Sequence, residues 1–171
     1  MKIINTSDGS NTIFLKDLNE TYHSRHGAVQ ESIHVFLKNG FRYLLSQQPG
    51  TSIRIFELGL GTGLNAVLTA IDSMKFRTPV EYTSIEPYPL SVEIIDQLNY
   101  ENILSDTPEK NLLNEIHRTD WEEFITIHSF FRFRKIKSTI QDYNPEKMHI
   151  IWCILMLSLR ISNRKYGVKI S

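Results

Sequence analysis

The sequence has one cysteine, Cys153, and no long apolar run. A single cysteine excludes a disulfide framework and a cysteine-ligated metal cluster, and it is typical of a reducing compartment. The most apolar run, residues 150–157, is far shorter than the roughly 20 residues that cross a bilayer. The first ten residues also lack the apolar core of a secretory signal. We therefore expect a cytoplasmic protein with neither a membrane partner nor a metal site.

Net charge is also absent, because 19 lysines and arginines balance 19 acidic residues. The charges are distributed unevenly, since nine basic residues but only two acidic ones follow residue 128. A basic C-terminal third can contact nucleic-acid phosphates, although a solvated basic face explains it equally well. With 41% hydrophobic residues among 171, the chain is long enough to form one globular domain with a real core.

The most informative stretch is 53–70, IRIFELGLGTGLNAVLTA. Its first residues read as a buried strand, three glycines follow at alternate positions, and apolar residues then recur at helical spacing. A strand, a glycine turn and a helix form the first half of a nucleotide-type βαβ unit. Glycine lets the backbone approach a ligand, and the helix N-terminus offers N–H groups to it. The alternative is a tight turn that binds nothing.

The remaining pattern predicts an α/β fold. Asp8-Gly9 predicts a hairpin corner, and an amphipathic N-terminal helix follows, with a stop signal at Asn39-Gly40. Further strands are predicted over 80–86, over 135–140 and from residue 148. This order predicts a mostly parallel sheet preceded by an N-terminal helical extension. At about 30 residues per βαβ unit, only about four strands can follow Ile53, so we expect the sheet to be incomplete at the C-terminus.

Acidic residues stand at the carboxyl ends of three predicted strands, namely Glu57, Glu86 and Asp142. Ligands of open α/β sheets bind at this edge. A carboxylate at Glu86 can accept hydrogen bonds from two adjacent ribose hydroxyls, although a solvated strand-end acid is the alternative. An NAD-dependent oxidoreductase and a methyltransferase would both use such a carboxylate, and the glycine spacing separates the two classes. The dinucleotide fingerprint is G-x-G-x-x-G, whereas Glu57-Leu58-Gly59-Leu60-Gly61-Thr62-Gly63 resembles the E-x-G-x-G-x-G loop of class I S-adenosylmethionine-dependent methyltransferases.

Further motifs occur in order along the chain and extend this resemblance. They are Asp8-Gly9-Ser10-x-Thr12, Tyr22-His23-Ser24-x-x-Gly27-Ala28, Glu31-Ser32-x-His34-Val35-Phe36 and Ser84-Ile85-Glu86-x-Tyr88-Pro89. Together with the glycine loop they resemble the methyltransferase domain of the MnmC-type family, from about Asp8 to about Ile151. That family methylates the 5-aminomethyl group of the wobble 2-thiouridine of certain tRNAs.

The resemblance implies a class I methyltransferase fold, which is Rossmann-like, with S-adenosylmethionine as cofactor and tRNA as partner. By position, the cofactor-binding residues are Glu57, Gly59, Gly61, Gly63 and Glu86, with Asp142 near the adenine. The resemblance also places Tyr22, His23 and Glu31 on the substrate side, where they would close over the cofactor or the nucleoside. The alternative for His23 is a plain polar loop residue. The loop assignment implies no metal and no covalent intermediate.

The family pattern breaks after Ile151. The family's fourth strand ends in Asp-Ala-Phe-Ala-Pro, whose aspartate positions the substrate amine, but residues 152–167 contain neither Asp nor Pro. Allowed codons for this stretch, read from the third base of the Trp152 codon, can spell Val-Tyr-Phe-Asp-Ala-Phe-Ala-Pro-Asn-Lys-Gln-Pro-Glu-Ile-Trp. We therefore expect a frameshift near Trp152, and a divergent C-terminus is the alternative.

The expected organisation is accordingly a hairpin and helical extension over 1–50, a partial cofactor-binding core over 51–151 and an out-of-frame tail over 152–171. No catalytic residue is assigned, because the family's aspartate is missing. Two other functions stay open. One is an NAD-dependent oxidoreductase, and the other is a non-catalytic RNA-binding remnant that uses the basic stretch 132–137.

Overall fold

The computed structural model describes residues 1–104 and 111–143, together with the backbone of 152–155. The N-terminal part is a small antiparallel sheet of β1 (Lys2–Asn5), β2 (Asn11–Leu15) and β3 (Glu20–Thr21). The predicted hairpin corner at Asp8-Gly9 joins β1 to β2, with Ile3 opposite Ile13. Gly9 has φ +85°, a backbone conformation that glycine adopts at no steric cost.

The second sheet has five strands. Along the chain, its elements and the helices between them are β4 (Ile53–Leu58), α3 (Leu64–Lys75), β5 (Val80–Ile85), α4 (Val92–Ile95), α5 (Tyr100–Ile103), α6 (Leu112–Arg118), β6 (Ile125–His128), β7 (Phe131–Ile136) and β8 (Trp152–Leu155). The spatial order is β6-β7-β5-β4-β8, and all pairs are parallel except β6 with β7. The four parallel strands follow the 3-2-1-4 order of a Rossmann-like sheet.

One continuous helical segment precedes this sheet. It comprises α1 (Ala28–Glu31), a π-helical stretch (Ser32–Phe41) and α2 (Arg42–Gln47). The stop predicted at Asn39-Gly40 is wrong, because the helix continues through Gly40, which is buried. The π-helical stretch packs against α3 and buries Phe36, Leu37 and Phe41. Burying three large side chains outweighs the roughly 1 kcal/mol that a glycine costs a helix.

The third parallel strand lies earlier than predicted. The sequence pattern indicates 135–140, whereas β7 spans Phe131–Ile136. Phe131 and Phe133 point into the core and stack near Tyr82 of β5. A strand at 131–136 buries these two phenylalanines on one face, and it therefore buries more apolar surface than a strand at 135–140 would. This burial determines the register in which β7 pairs with β5. The antiparallel β6 at the sheet edge was not predicted.

The core lies mainly on one face of the five-stranded sheet. Buried residues of α3, of the N-terminal helical segment and of the inner strands form a continuous cluster there. On the other face, Phe56, Ile85 and Ile136 form a small second cluster, with Tyr143 stacked on Phe56 at 5.6 Å between ring centroids. Within the described ranges, no helix combines the length and the apolar character that crossing a membrane requires.

Candidate functional site

The loop between β4 and α3 lies at the carboxyl edge of the sheet. Gly59 N donates to the Ile85 carbonyl at 2.7 Å, so the loop begins beside the end of β5. Gly59, Gly61 and Gly63 have φ of +86°, +53° and +76°. Residues with a Cβ are strained in this region, which explains why glycine occupies alternate positions. Gly63 has no side chain to cap α3, so the first N–H groups of this helix are left for a ligand or water.

Glu86 follows β5 directly and binds this loop. Its Oε2 accepts a hydrogen bond from Gly61 N at 3.0 Å, and its Oε1 accepts one from Tyr88 N at 2.8 Å. Burial raises the pKa of this carboxyl, while the backbone N–H donors, Gly61 first, act to lower it. Leu60 N–H acts in the same way as a third backbone donor, and the carboxylate, with about four lone-pair sites, keeps room for a further donor. The structure therefore brings Glu86 and the glycine loop together.

Glu57 lies inside the fold and is 1% exposed. Asn65 Nδ2 donates to its Oε1 at 3.1 Å, and Ser84 Oγ donates to its Oε2 at 2.9 Å. Burial raises the pKa of Glu57 to about 7, although these two hydrogen bonds act in the opposite direction. The contacts join β4 to α3 and β5 beneath the loop, so Glu57 organises the loop from below.

A small cavity of about 20 Å³ adjoins the glycine loop. Tyr22, His23, Asn65 and residues of the loop line it. A cavity of this size holds about one water molecule. The Oδ1 atom of Asn65 is buried, and no residue of the described part donates a hydrogen bond to it. A buried acceptor without a donor indicates a place where a ligand N–H or O–H group can bind.

The Tyr22 ring covers the loop. A Cβ at Gly61 would lie 3.4 Å from this ring. Burial, with a further contribution from the charge of Glu86, raises the pKa of Tyr22 to about 12. The structure thus places Tyr22 over the loop and near Glu86. The space beside Gly61 in this conformation, about 20 Å³, is too small for a nucleoside.

His23 and Glu31 fix this covering segment. Thr12 Oγ1 accepts from His23 N at 3.1 Å and lies 3.2 Å from His23 Nδ1. Burial lowers the pKa of His23 to about 4, so its ring is neutral at pH 7. Glu31 Oε2 accepts from Ser24 N at 2.7 Å. In this structure the backbone is therefore held at two successive amides, those of His23 and Ser24.

Residues of the first hairpin support the same segment from its other side. Asp8 accepts hydrogen bonds from Ser10 N and from Gln30 N, at 3.0 and 2.9 Å. Ser10 Oγ accepts from Ala28 N at 3.0 Å. These side chains cap the start of α1, a stabilising arrangement that satisfies otherwise free N–H groups.

Asp142 lies in the segment that follows the third parallel strand. It is exposed and lies six residues beyond the end of β7. Its Oδ2 accepts a hydrogen bond from Thr139 Oγ1 at 2.6 Å. Its role near an adenine, which the resemblance implies, stays a prediction.

The basic residues of β7 are engaged within the fold. Arg132 pairs with Glu81 at 2.7 Å and lies over the Phe124 ring at 4.9 Å. Arg134 lies over the same ring at 4.4 Å. Lys135 is 2% exposed, so it cannot face a phosphate backbone. The basic stretch on which the RNA-binding alternative depends is therefore not a continuous exposed surface.

In the part of the chain that the structure describes, no three His, Cys, Asp or Glu residues form a group able to hold a metal ion.

The sequence pattern assigns no role to two residues of this site, although Asn65 ends the glycine motif that carries the family resemblance. Asn65 follows the glycine loop by two positions and resembles any polar residue in the first turn of a helix. His117 lies 55 positions from Thr62, whose carbonyl it contacts. No local pattern encodes a contact over that separation. A polar residue just after a glycine loop is a signal that could have identified Asn65. The sequence contains no comparable signal for His117.

The fold and the site together define a Rossmann-like α/β protein with a nucleotide-type glycine loop. No protein-family model matches the sequence. The structure is similar to the crystal structure of MnmC2 from Aquifex aeolicus, with a TM-score of 0.55 and 23% sequence identity. The similarity covers 79% of this chain and 41% of that one. The two proteins therefore share a fold, and this chain spans less than half of the length of its neighbour.

Proposed function

We propose that this chain carries the cofactor-binding part of an S-adenosylmethionine-dependent methyltransferase that acts on the wobble uridine of tRNA. The observation that carries the proposal is the hydrogen bond between the glycine loop and Glu86, at the carboxyl edge of a Rossmann-like sheet. The similarity of fold to MnmC2 and the motif resemblance described above support the same function. A cytoplasmic location follows from this function, since tRNA is modified there.

The proposed cofactor site uses the loop backbone for the methionine part and Glu86 for the ribose. The remaining lone pair of the Glu86 carboxylate accepts a ribose hydroxyl. Asn65 Oδ1, which is buried without a donor, accepts an N–H group of the ligand. Glu57 supports the loop from below and does not contact the ligand, since its carboxyl already accepts hydrogen bonds from Asn65 and Ser84. Tyr22 moves outward on binding and then covers the ligand, with His23 and Glu31 holding its segment.

The cofactor supplies a methyl group on a positively charged sulfur. Bound at this site, it would transfer that methyl group to a substrate amine, which would release a proton, while the sulfur would keep the electrons of the broken C–S bond. This chemistry requires a neutral amine aligned with the methyl group, so positioning contributes most of the acceleration. Within this chain, the loop, Glu86 and the Tyr22 segment orient one reactant and exclude water from it.

We further propose that residues after Ile151 are translated out of frame, so that the sequence of 152–171 is unrelated to the family pattern, although Trp152–Leu155 still pairs with β4 as β8. The chain then retains the cofactor loop and lacks the aspartate that positions the amine. We expect weak cofactor binding and little or no turnover. Sequencing the locus tests this part directly, and an alternative frame that does not encode Asp-Ala-Phe-Ala-Pro would refute it.

A methyl-transfer assay tests the function. The substrate is tRNA from cells that lack the wobble methylation, and the donor is S-adenosylmethionine with a labelled methyl group. We expect negligible transfer by this chain and measurable transfer by a chain in which the alternative frame replaces the residues after Ile151. Robust turnover by the present chain would refute the out-of-frame tail. No transfer by the restored chain would refute the proposed activity.

A further inference from the structure

His117, in the last turn of α6, contacts the glycine loop directly. Its Nε2 lies 3.0 Å from the carbonyl oxygen of Thr62. Because a carbonyl only accepts hydrogen bonds, Nε2 carries the proton and donates it. A Cβ at Gly63 would lie 2.8 Å from the same nitrogen. The imidazole is therefore packed against the loop where α3 begins, and Gly63 leaves the space that it needs.

The contact holds one peptide group of the loop at both of its polar ends. The Thr62 carbonyl accepts from His117, and Gly63 N donates to the Leu60 carbonyl at 2.8 Å. Gly61 and Gly63, on either side of Thr62, have positive φ, and glycines in a loop can adopt several backbone conformations at similar free energy. Fixing the Thr62–Gly63 peptide selects one of them.

A buried lysine holds His117 in place. Lys135 Nζ donates to the backbone carbonyl of His117 and, at 3.4 Å, to that of Ile116. Its Nζ also lies 4.7 Å from the centroid of the Trp121 ring. A cation at the carbonyl end of a helix is stabilising. The end of α6 is thereby attached to β7 while the His117 side chain extends to the loop.

We infer that His117 is a positioning residue for the ligand-binding loop. It selects the loop conformation in which the N–H groups at the start of α3 are available to a ligand. The inference rests on the proposed function, because the ligand in question is the cofactor proposed there. His117 acts through the backbone of Thr62.

The chain offers a matched control in His128 of β6. Its Nε2 lies 3.0 Å from the carbonyl of Ala70, which also belongs to the segment formed by the loop and α3. Ala70 is in the middle of α3, seven residues beyond Gly63. Replacing either histidine by leucine removes one histidine–carbonyl hydrogen bond to this segment. Only the substitution of His117 removes it from the loop.

The experiment compares His117→Leu, His117→Gln and His128→Leu with the unaltered chain. Calorimetry measures the affinity for S-adenosylhomocysteine, and amide exchange at Gly63 is followed without ligand. Loss of one hydrogen bond of this kind weakens binding by about three- to tenfold. We expect this loss and faster exchange for His117→Leu, substantial recovery for His117→Gln, whose amide can donate to Thr62, and unchanged affinity for His128→Leu.

The result that overturns the inference is equal affinity and equal exchange in the two leucine variants. If the unaltered chain binds no S-adenosylhomocysteine, the proposed function fails. The ligand-free exchange at Gly63 then decides on the positioning role separately, because faster exchange in His117→Leu alone supports it and equal exchange in both variants refutes it.

Discussion

Gly61 N donates a hydrogen bond to Glu86 Oε2 across 3.0 Å, although the two residues are 25 positions apart. This bond joins the loop after the first parallel strand to the end of the second. It places a carboxylate beside backbone that is conformationally strained for any residue with a Cβ. The proposed cofactor site depends on this pairing.

Replacing Glu86 tests whether its carboxylate contributes to ligand binding. Glu86→Gln keeps the size of the side chain but removes the charge and one acceptor oxygen. Losing a charged hydrogen-bond partner lowers affinity by about 10- to 100-fold, so we expect that loss in S-adenosylhomocysteine binding measured by calorimetry. Glu81→Gln is the control, because Glu81 lies within β5, the strand that Glu86 follows, and pairs with Arg132 on the sheet surface. Equal affinities in the two variants would contradict the assignment.

Gly61→Ala tests the approach of the backbone to the ligand. The added Cβ would lie 3.4 Å from the Tyr22 ring, and φ is +53°. Gly50→Ala is matched, because Gly50 has φ +76° and open space around it. We expect both variants to lose about 1–2 kcal/mol of unfolding free energy in urea titrations. Only Gly61→Ala should lose ligand affinity, and an equal loss in Gly50→Ala would argue against a site at the loop.

Asp8 makes the N-terminal framework sensitive to acid. Hydrogen bonds from Ser10, Gln30 and Thr6 lower the pKa of Asp8 to about 2, against the opposing effect of burial. A folded-state pKa below the ordinary value of 3.8 stabilises the fold above that pH, and the stabilisation is lost as pH falls towards 2. Asp8→Ala should therefore lower the free energy of unfolding by about 1–2 kcal/mol at pH 7 and by less at pH 3, as measured by urea unfolding.

The control for Asp8 is Asp17→Ala, since Asp17 is an exposed residue of a nearby turn. Its stability difference from the unaltered chain should be small at both pH values. A cost for Asp8→Ala that is the same at pH 3 and pH 7 would show that the charge of Asp8 does not contribute.

Glu57 has the opposite dependence on pH. Burial raises its pKa to about 7 from 4.5, so the folded state binds a proton that the unfolded state has already released. Stability should therefore fall as pH rises from about 4.5 to about 7, because folding then requires proton uptake. Glu57→Gln removes this titration and should flatten the dependence of unfolding free energy on pH in that range. Parallel curves for the two proteins would show that Glu57 is ionised in the fold.

The glycine loop and the two strands beside it could be predicted because their signals are local. Alternating apolar residues, glycines at alternate positions and an acid at each strand end place β4, β5, Glu57 and Glu86 correctly along the sequence. A turn that requires positive φ leaves glycine as its signature. This part of the fold needs no knowledge of distant contacts.

The register of the third strand could not be predicted in the same way. Lys135 reads as a surface residue, but the carbonyls of α6 and the Trp121 ring surround its ammonium group. Its burial depends on a contact with His117 of α6, 18 residues earlier. The local periodicity of the sequence contains no information about such a contact. The cover formed by Tyr22 over Gly61 likewise joins segments 39 residues apart.

Binding of S-adenosylhomocysteine to the unaltered chain, measured by isothermal titration calorimetry, tests the central claim most directly. We expect binding of one molecule per chain, weakened in Glu86→Gln, together with no detectable binding of NAD. Absence of S-adenosylhomocysteine binding by a folded chain, or binding of NAD in its place, would contradict the account.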